Sequence, residues 1–285
     1  MASSTSRPVV LVTGGARRIG RAIAHDLAAH GFDIALHYRR SRDEAEATAA
    51  ELRALGARAQ CFAADLADEA ACRALVPTVA RSMQRLDTVV NNASHFEYDN
   101  AQTFSVAAMD VHWRANTAPA ILLAQALAVH LEDCSEVGCV VNLSDQKLWN
   151  PNPDYLSYTL SKAALEAATT LLAMALAPRV RVVGVAPGVT LVSGTAMDAA
   201  RFQDAHRMTP LGRSSTPEDV AHTVRFVIES PAITGTTIVV DGGQHLAAQP
   251  RDVAFLTTPG AASPLPLEGA PPAARQSRIR GGRST

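Results

Sequence analysis

The sequence lacks an apolar run long enough to cross a bilayer. Its 285 residues contain no apolar stretch of about 18, the length that indicates a membrane-spanning helix. The segment Met1 to Arg7 is polar, and the apolar run that follows covers only Val9 to Val12, which is too short for the core of a signal peptide. We therefore expect a cytoplasmic protein that makes no contact with membranes.

A surplus of either charge is also missing. The 26 basic residues are balanced by 27 acidic residues, so the formal net charge is −1. Proteins dedicated to nucleic acids or to anionic membranes usually carry a basic surplus, and we expect neither partner here. Lysine is scarce within the basic set. Lys147 and Lys162 are the only two lysines, so each is a candidate for a specific role.

The cysteines lack the spacing of a metal site or of a redox motif. No Cys-x-x-Cys pair and no nearby pair of histidines occurs among Cys61, Cys72, Cys134 and Cys139. We expect four structural thiols in a reducing compartment and no bound metal.

The body of the chain alternates short β-branched runs with longer helical stretches rich in alanine and leucine. Apolar residues make up 47% of the chain, which is enough for a sizeable core. Strands are predicted over 8–14, 32–38, 57–66, 86–94, 137–145, 179–188 and 236–243, and helices over 18–31, 44–56, 71–83, 106–131 and 154–177. The helix over 106–131 is expected to bend around Pro119. Such alternation predicts an α/β fold, a Rossmann-like doubly wound parallel sheet in a single domain.

The two ends of the chain differ in composition from this body. Residues 1–7 are expected to form a flexible N-terminus, and residues 8–250 the folded domain. Residues 251–285 contain five prolines and four glycines and carry a net charge of +3. We expect this tail to be disordered from about residue 259, because it cannot bury enough apolar surface to offset its ordering entropy.

A glycine-rich turn joins the first predicted strand to the first helix. Gly14, Gly15 and Gly20 lie in the run from Thr13 to Gly20. Glycines let backbone amides approach a pyrophosphate, and the helix start points its positive end at that group. The turn therefore favours a dinucleotide site, although an ordinary glycine-rich turn is the alternative.

The end of the second strand discriminates between the two nicotinamide cofactors. It reads His37-Tyr38-Arg39-Arg40-Ser41, with no carboxylate before Asp43. An acidic residue there accepts from the ribose hydroxyl of NAD, whereas arginine suits the 2′-phosphate of NADP. Arg17 of the first loop could approach the same phosphate. The pattern favours NADPH, with a solvated arginine-rich loop as the alternative.

One tyrosine and one lysine are spaced for acid–base chemistry. Tyr158 and Lys162 are four residues apart on a predicted helix and therefore share a face. An ammonium near a phenol lowers the pKa of the phenol and suits it to proton transfer near neutral pH. Tyr155 is a rival, but only Tyr158 lies four residues before Lys162. An ordinary surface pair is the alternative reading of this spacing.

Taken together, these motifs resemble the short-chain dehydrogenase/reductase superfamily over about residues 7–247. Further matches are Asp65-Leu66, Asn91-Asn92-Ala93, Asn116, Pro187-Gly188 and Asp241-Gly242-Gly243. Two positions depart from the general family pattern. Arg18 replaces the middle glycine of the loop. Asp145 stands thirteen residues before Tyr158, where serine is expected, and Ser144 is one place out of register. A carboxylate would repel a developing alkoxide but can hydrogen-bond a ring N–H.

Both departures are similar to pteridine reductases and to the related dihydromonapterin and dihydrofolate reductases. The resemblance implies Asp145, Tyr158, Lys162 and Asn116 as catalytic residues. It implies Arg18, Ser94, Phe96, Asp145 and Tyr158 as substrate contacts, with the pterin between Phe96 and the nicotinamide. The implied cofactor contacts are Gly14, Arg17, Arg18, Ile19, Gly20, His37, Tyr38, Arg39, Arg40, Ser41, Asp65, Leu66, Asn92, Ala93, Ser94, Tyr158, Lys162, Pro187 and Gly188. Phe96 could instead anchor a loop, and Asp145 could be a loop carboxylate in a protein that has lost catalysis.

The function that this resemblance implies is NADPH-dependent reduction of a pterin-type C=N bond. One alternative is a carbonyl reductase of the same fold, for example for a 3-oxoacyl thioester. A second is a non-catalytic NADP-binding sensor. Residues 189–213 are expected to form a substrate lid. A homotetramer is expected from the superfamily, and the apolar run 163–176 is compatible with it.

Overall fold

Within the residues that the structure describes, seven strands alternate with helices. The structure is a computed structural model that describes residues 7–134, 136–192 and 199–256. The strands are β1 Val9–Val12, β2 Asp33–Tyr38, β3 Ala59–Ala63, β4 Thr88–Asn91, β5 Gly138–Leu143, β6 Val180–Pro187 and β7 Thr237–Val240. The helices are α1 Arg18–Ala29, α2 Arg42–Ala54, α3 Glu69–Met83, α4 Val106–His112, α5 Ala118–Cys134, α6 Leu156–Leu176, α7 Ala199–Arg207, α8 Pro217–Glu229 and α9 Val253–Leu256.

The strands form one parallel sheet in the order β3-β2-β1-β4-β5-β6-β7. Val10 of β1 is in register with Ile34 of β2 on one side and with Thr88 of β4 on the other. The order therefore reverses beside β1, and in open parallel sheets such a reversal opens a ligand crevice at the carboxyl ends of the strands. The predicted Rossmann-like doubly wound sheet is confirmed.

Both faces of the sheet are covered by apolar helix faces. Ile23 and Leu27 of α1 pack on one face together with Val224 of α8, all fully buried. Leu123 and Leu127 of α5 pack on the other face. Burial on both sides explains why the strands read as continuous Val/Ile/Leu runs rather than as alternating patterns.

The predicted helix over 106–131 is observed as two α-helices joined by a π-helical turn. This turn, over Trp113–Thr117, ends two residues before Pro119. Pro119 is the second residue of α5, and because it has no N–H it cannot donate a hydrogen bond to the preceding turn. The π-helical turn places Asn116 beside α6, where its side-chain amide donates to Ser161.

The predicted elements differ from the observed ones at their ends, and the helices α7, α8 and α9 were not predicted. The predicted strand over 86–94 is observed only over Thr88–Asn91, because the chain then leaves the sheet to line the crevice. Gly31, the last residue of the first predicted helix, lies beyond the end of α1 with φ +93°, a conformation that suits glycine. None of the helices in the described part of the chain combines the length and the apolarity that a bilayer requires.

Candidate active site

A cavity of about 680 Å³ opens at the carboxyl ends of the strands. All the sequence-predicted site residues except Asn116 line it, so residues from Gly14 to Gly188 are brought together as expected. The walls also include residues outside the predicted set of catalytic, cofactor and substrate contacts, three of which belong to the predicted lid: Ala16, Ala67, His95, Ala115, Leu143, Ser144, Gln146, Lys147, Tyr155, Val189, Thr190, Leu191, Gln244, Asp252, Val253 and Ala254.

The glycine loop is held to its neighbours by side-chain hydrogen bonds. His37 is buried at the end of β2, and its Nδ1 accepts from the Gly14 amide at 3.1 Å. Its Nε2 lies 3.1 Å from the Ala64 carbonyl oxygen, which fixes the neutral ring with the proton on Nε2. Burial lowers the pKa of His37, so the neutral form persists at neutral pH. His37 therefore positions the loop rather than facing the ligand with a charge.

Gly20 is required by close packing rather than by its backbone angle. A Cβ at this position would lie 2.6 Å from Nδ2 of Asn92 and would also collide with the Gly14 carbonyl. Asn92 in turn donates from Nδ2 to the Thr13 carbonyl at 2.8 Å. The start of α1 is thus pressed against the loop after β4, which leaves the backbone amides of the loop on the cavity wall.

The end of β2 presents positive charge without a carboxylate. Arg39 and Arg40 are exposed on the cavity wall, and Ser41 precedes α2. Arg17 lines the same cavity and forms an exposed ion pair with Glu44 of α2 at 3.6 Å. Two exposed guanidinium groups and a hydroxyl match the donor set that a dianionic phosphate requires.

Asp145 and Tyr158 are coupled by a short hydrogen bond. The Tyr158 hydroxyl donates to Oδ2 of Asp145 at 2.7 Å, and both side chains line the cavity. Burial raises the pKa of Asp145, against opposing contributions from the Lys147 amide, from Tyr158 and from the ammonium groups of Lys162 and Lys147. The carboxyl that replaces the expected serine therefore faces the site and not the bulk solvent.

The expected lowering of the Tyr158 pKa by Lys162 is not observed. Burial, followed by the charge of Asp145 and the hydrogen bond to it, raises the pKa of Tyr158 well above its usual value. The Lys162 ammonium donates instead to the Leu143 carbonyl at 2.7 Å and lies 5.8 Å from the centre of the Tyr158 ring. Burial lowers the pKa of Lys162 to about 8. Tyr158 is consequently a neutral phenol at neutral pH, which suits a proton donor.

Asn116 lies behind the cavity wall and holds the loop after β4. Its Oδ1 accepts from the His95 amide at 2.7 Å and from the Ser94 hydroxyl at 3.1 Å. Its Nδ2 donates to the His95 carbonyl at 3.0 Å and to Ser161 of α6 at 2.9 Å. The amide therefore links α6 to the loop that carries Phe96.

Five aromatic rings form a cluster at one end of the cavity, and three of them, Phe96, Tyr155 and Tyr158, line it. Phe96 stacks on Tyr155 with ring centres 4.3 Å apart and contacts Tyr158 edge-on at 4.7 Å. Tyr98 and Phe255 contact Tyr155 at 5.1 and 6.2 Å. One face of Phe96 is thus covered by Tyr155, and Phe96 is 41% exposed. The structure brings Phe96 to Tyr158 as the sequence indicated, but its stacking partner Tyr155 had been considered only as a rival proton donor.

The C-terminal segment, residues 249–256, completes the substrate end. Arg251 forms a two-pronged ion pair with the buried Asp154 at 2.8 Å, and Asp252 forms an ion pair with Lys147 at 3.1 Å. No motif indicated Asp252. The scarcity of lysine was the one signal that singled out Lys147. The first residues of the predicted tail therefore pack on the domain, and residues 257–285 lie outside the described residues.

The predicted lid packs on this C-terminal segment. Ala205 of α7 forms a small apolar cluster with Val253 and Ala254, and Phe202 and Val189 lie against it. This cluster is separate from the two cores that flank the sheet. Residues 193–198 of the predicted lid lie outside the described residues.

Comparison with known proteins places the chain in a family. The family model described as enoyl-(acyl carrier protein) reductase matches residues 14–245. The chain belongs to the short-chain dehydrogenase/reductase family of oxidoreductases, which confirms the resemblance seen in the sequence.

Within this family, three relatives illustrate the range of activities. Pteridine reductase 1 of Leishmania tarentolae is 34% identical over 287 residues, which covers 86% of this chain and 99% of that protein. The granaticin polyketide synthase putative ketoacyl reductase 2 of Streptomyces violaceoruber is 35% identical over 246 residues, or 84% and 96% of the two chains. The crystal structure of FolM alternative dihydrofolate reductase 1 from Brucella canis, complexed with NADP, is 41% identical with a TM-score of 0.79. It covers 86% of this chain and 97% of that one.

Proposed function

We propose that this protein is an NADPH-dependent reductase of the C=N bond of a pterin-type ring. The observation that carries the proposal is the Asp145 carboxyl hydrogen-bonded to the Tyr158 hydroxyl at 2.7 Å on the cavity wall. A second carboxyl oxygen accepts from the Lys147 amide at 2.8 Å, so the group is fixed in place. Likeness to a pteridine reductase and to an alternative dihydrofolate reductase supports the same substrate class.

The residues at the other end of the cavity fit NADPH. Arg39, Arg40 and Ser41 offer the charge and hydrogen bonds that its 2′-phosphate requires, and the loop from Gly14 to Gly20 leaves room for the pyrophosphate. The Brucella canis relative is complexed with NADP. When bound, NADPH supplies the hydride for the carbon of the C=N bond.

The chain itself must supply the proton for the nitrogen. Tyr158 is a neutral phenol at neutral pH because burial and Asp145 raise its pKa. While Asp145 is ionised, the Tyr158 proton points at that carboxylate. Once Asp145 is protonated, it can donate to the Tyr158 oxygen, and the Tyr158 proton is released toward the ring nitrogen. The raised pKa of Asp145 brings this protonated form closer to neutral pH.

The same carboxyl discriminates between substrates. A ketone develops negative charge on oxygen, which an ionised Asp145 would repel. A pterin ring offers N–H and amino groups, to which a carboxylate can hydrogen-bond. Phe96 adds a flat apolar surface, half-exposed in the cavity and stacked on Tyr155, against which a heteroaromatic ring can pack.

A carbonyl reductase is the second candidate function. The similarity to a putative ketoacyl reductase favours it. The buried hydroxyl of Ser144 also favours it, because it lines the cavity next to Asp145 and has no hydrogen-bond partner among the described residues. A small shift of the loop could present this hydroxyl to a carbonyl oxygen.

A substrate panel separates these functions. NADPH oxidation would be followed with dihydrobiopterin, dihydrofolate and an acetoacetyl thioester, using wild type, Asp145→Ser and Tyr158→Phe. We expect turnover of a dihydropterin, a roughly 100-fold lower kcat/KM in Asp145→Ser, and a loss of about 10²- to 10⁴-fold in Tyr158→Phe. NADPH binding should stay within about twofold in both variants.

Two outcomes would contradict the proposal. Faster turnover of the acetoacetyl thioester than of any pterin, retained in Asp145→Ser, would establish the carbonyl reductase instead. Tight NADPH binding without turnover of any substrate, unchanged by Tyr158→Phe, would indicate a non-catalytic NADP-binding protein.

A further inference from the structure

A largely buried ion pair lies in the same cavity as the Asp145–Tyr158 couple. The ammonium of Lys147 is 3.1 Å from Oδ2 of Asp252, and the two side chains are 5% and 20% exposed. Both residues line the cavity that holds Asp145 and Tyr158. A buried ammonium and carboxylate are costly to desolvate, so their presence in a ligand cavity calls for a role beyond packing.

Lys147 is connected to Asp145 through both its backbone and its side chain. Its amide donates to Oδ1 of Asp145 at 2.8 Å, which leaves Oδ2 for Tyr158. Its ammonium lies 5.3 Å from the centre of the Tyr155 ring and is one of the charges that lower the pKa of Asp145 against the larger effect of burial. Lys147 lies two residues after Asp145, so its flexible side chain could bring the ammonium to the Asp145 carboxyl and neutralise its charge.

Asp252 is fixed from the opposite side. Its amide donates to Asp154 at 2.8 Å, and its Oδ1 accepts from the Ala254 amide at 3.1 Å. The neighbouring Arg251 forms an ion pair with the same Asp154. The Asp252 carboxylate is thus held where it engages the Lys147 ammonium, and it does not depend on Lys147 for its position.

The charges around Asp145 come from every side of the cavity. Tyr158 and Lys162 act on it from α6 and Lys147 from the short helix Gln146–Leu148, while Asp252 lines the cavity from the C-terminal segment. His95, Tyr155 and Arg18 line the same cavity from the loop after β4, from the start of α6 and from the glycine loop. Of these groups, Lys147 and Asp252 carry opposite charges 3.1 Å apart, so the Asp252 carboxylate offsets part of the field that the Lys147 ammonium exerts at Asp145.

We propose that Lys147 and Asp252 act as a positioning pair for Asp145, in which Asp252 keeps the Lys147 ammonium away from the Asp145 carboxyl and so preserves its capacity to hold a proton. The inference rests on the proposed function, because that function assigns the proton to the Asp145–Tyr158 couple. It also makes the C-terminal segment part of the active site, through a residue more than 100 positions from the residue that it controls.

The two members of the pair should have opposite effects on Asp145. In Asp252→Asn the ammonium loses its counter-ion and stabilises ionised Asp145, so the Asp145 pKa falls. In Lys147→Met the Asp252 carboxylate is left uncompensated and disfavours a second negative charge, so the Asp145 pKa rises. We expect shifts of about one pH unit in each direction. The double variant Lys147→Met/Asp252→Asn removes both charges and should return the pKa to within about 0.3 of wild type.

The Asp145 pKa can be measured without any substrate. The chain labelled with ¹³Cγ-aspartate would be titrated by NMR with NADP⁺ present, and Asp145→Asn would assign the signal. In parallel, the pH at which kcat/KM for a dihydropterin declines should move down in Asp252→Asn and up in Lys147→Met, because turnover requires protonated Asp145.

Arg225→Met is the matched control. It removes a partly buried ion pair with Asp26 that is 2.8 Å long and lies outside the cavity lining. It should leave the Asp145 titration unchanged.

The proposed pair is supported if the Asp145 pKa shifts in opposite directions in the two single variants and returns to the wild-type value in the double variant. Shifts of the same sign, shifts below about 0.2 units, or a double variant that stays as displaced as a single one would overturn it. Should Lys147→Met fail to fold, Lys147→Gln and the double variant give the same comparison. The NMR titration also separates the two proposals. Shifts as expected without pterin turnover would support the pair and reject the proposed substrate, and pterin turnover without shifts would do the reverse.

Discussion

The cofactor-facing and the substrate-facing walls of the cavity are built in different ways. On the cofactor side, Gly14, His37 and Asn92 meet at the ends of neighbouring strands, and their contacts are mostly hydrogen bonds to backbone atoms. On the substrate side, Lys147 and Asp252 pair across 105 residues, and Asp154 and Arg251 pair across 97. One wall follows from the sheet topology, whereas the other depends on side-chain ion pairs between distant loops.

The two walls also differ in how they carry charge. Arg39 and Arg40 are exposed, and within the described residues neither forms an ion pair with a carboxylate. On the substrate side, Lys147 and Arg251 each face an acidic partner. Unpaired cations suit a ligand that brings its own negative charge. Paired charges suit a neutral ligand, and they also fix the geometry of the loops that surround it.

The largest effect is expected on the cofactor side. Replacing both arginines in Arg39→Ala/Arg40→Ala removes two charge-assisted contacts to the 2′-phosphate, each worth roughly 1.5–3 kcal/mol. We expect kcat/KM for NADPH to fall about 100-fold or more, while kcat/KM for NADH changes by less than about threefold. Steady-state kinetics with both cofactors measure this difference directly.

The neighbouring Arg42 supplies the control for this experiment. It is exposed at the start of α2 and does not line the cavity. Arg42→Ala should change neither cofactor preference by more than about twofold. An equal loss in Arg42→Ala would mean that a diffuse positive field, and not contact with the phosphate, sets the preference.

A smaller effect, confined to the other wall, is expected from loosening the C-terminal segment. Arg251→Met leaves the buried Asp154 without its two-pronged partner and weakens the attachment of residues 249–256. We expect KM for the substrate to rise roughly tenfold, with kcat/KM for NADPH within about twofold of wild type. Arg225→Met again serves as the control, because its partner Asp26 is also mostly buried.

If the two walls were not independent, Arg251→Met would weaken the binding of both ligands equally. Isothermal titration calorimetry with NADP⁺ alone measures the NADP⁺ affinity of Arg251→Met and of wild type, and this comparison decides the question. A loss of NADP⁺ affinity as large as the rise in substrate KM would remove the distinction between the walls.

The same difference explains which features the sequence could predict. The order of strands, the glycine loop and the arginines after β2 are predictable, because each is local and its position follows from the carboxyl end of a parallel strand. Asp145 and Tyr158 were predictable from their spacing and from the family resemblance, and the structure joins them by a hydrogen bond.

The ion pairs of the substrate wall were not predictable, because their partners share no motif. Asp252 lies in a segment whose proline, glycine and charge content indicated a tail, yet it pairs with one of the two lysines. The pKa of Tyr158 was predicted with the wrong sign for a related reason. Helical spacing places Lys162 near the phenol. It does not reveal that the Lys162 ammonium donates to the Leu143 carbonyl, or that burial is the main influence on the Tyr158 pKa and raises it.

The smallest effect is expected at Arg18, where the two walls meet. Arg18 replaces a glycine of the family pattern, and its φ of +55° lies in the left-handed region. That conformation costs a residue other than glycine roughly 1–2 kcal/mol. The side chain lines the cavity, so we attribute the tolerated strain to ligand contacts.

The variants Arg18→Gly and Arg18→Ala separate the effect of backbone strain on stability from the effect of losing the guanidinium on substrate binding. Glycine relieves the strain but gains about 0.5–1 kcal/mol of entropy in the unfolded chain, so the free energy of unfolding should rise by at most about 1 kcal/mol. Alanine keeps the strain and should give no such gain. Both variants lose the guanidinium and should raise KM for the substrate by the same factor. Thermal unfolding and kinetics on the pair test this, and a glycine variant less stable than the alanine variant would show that the left-handed backbone at residue 18 stores no strain.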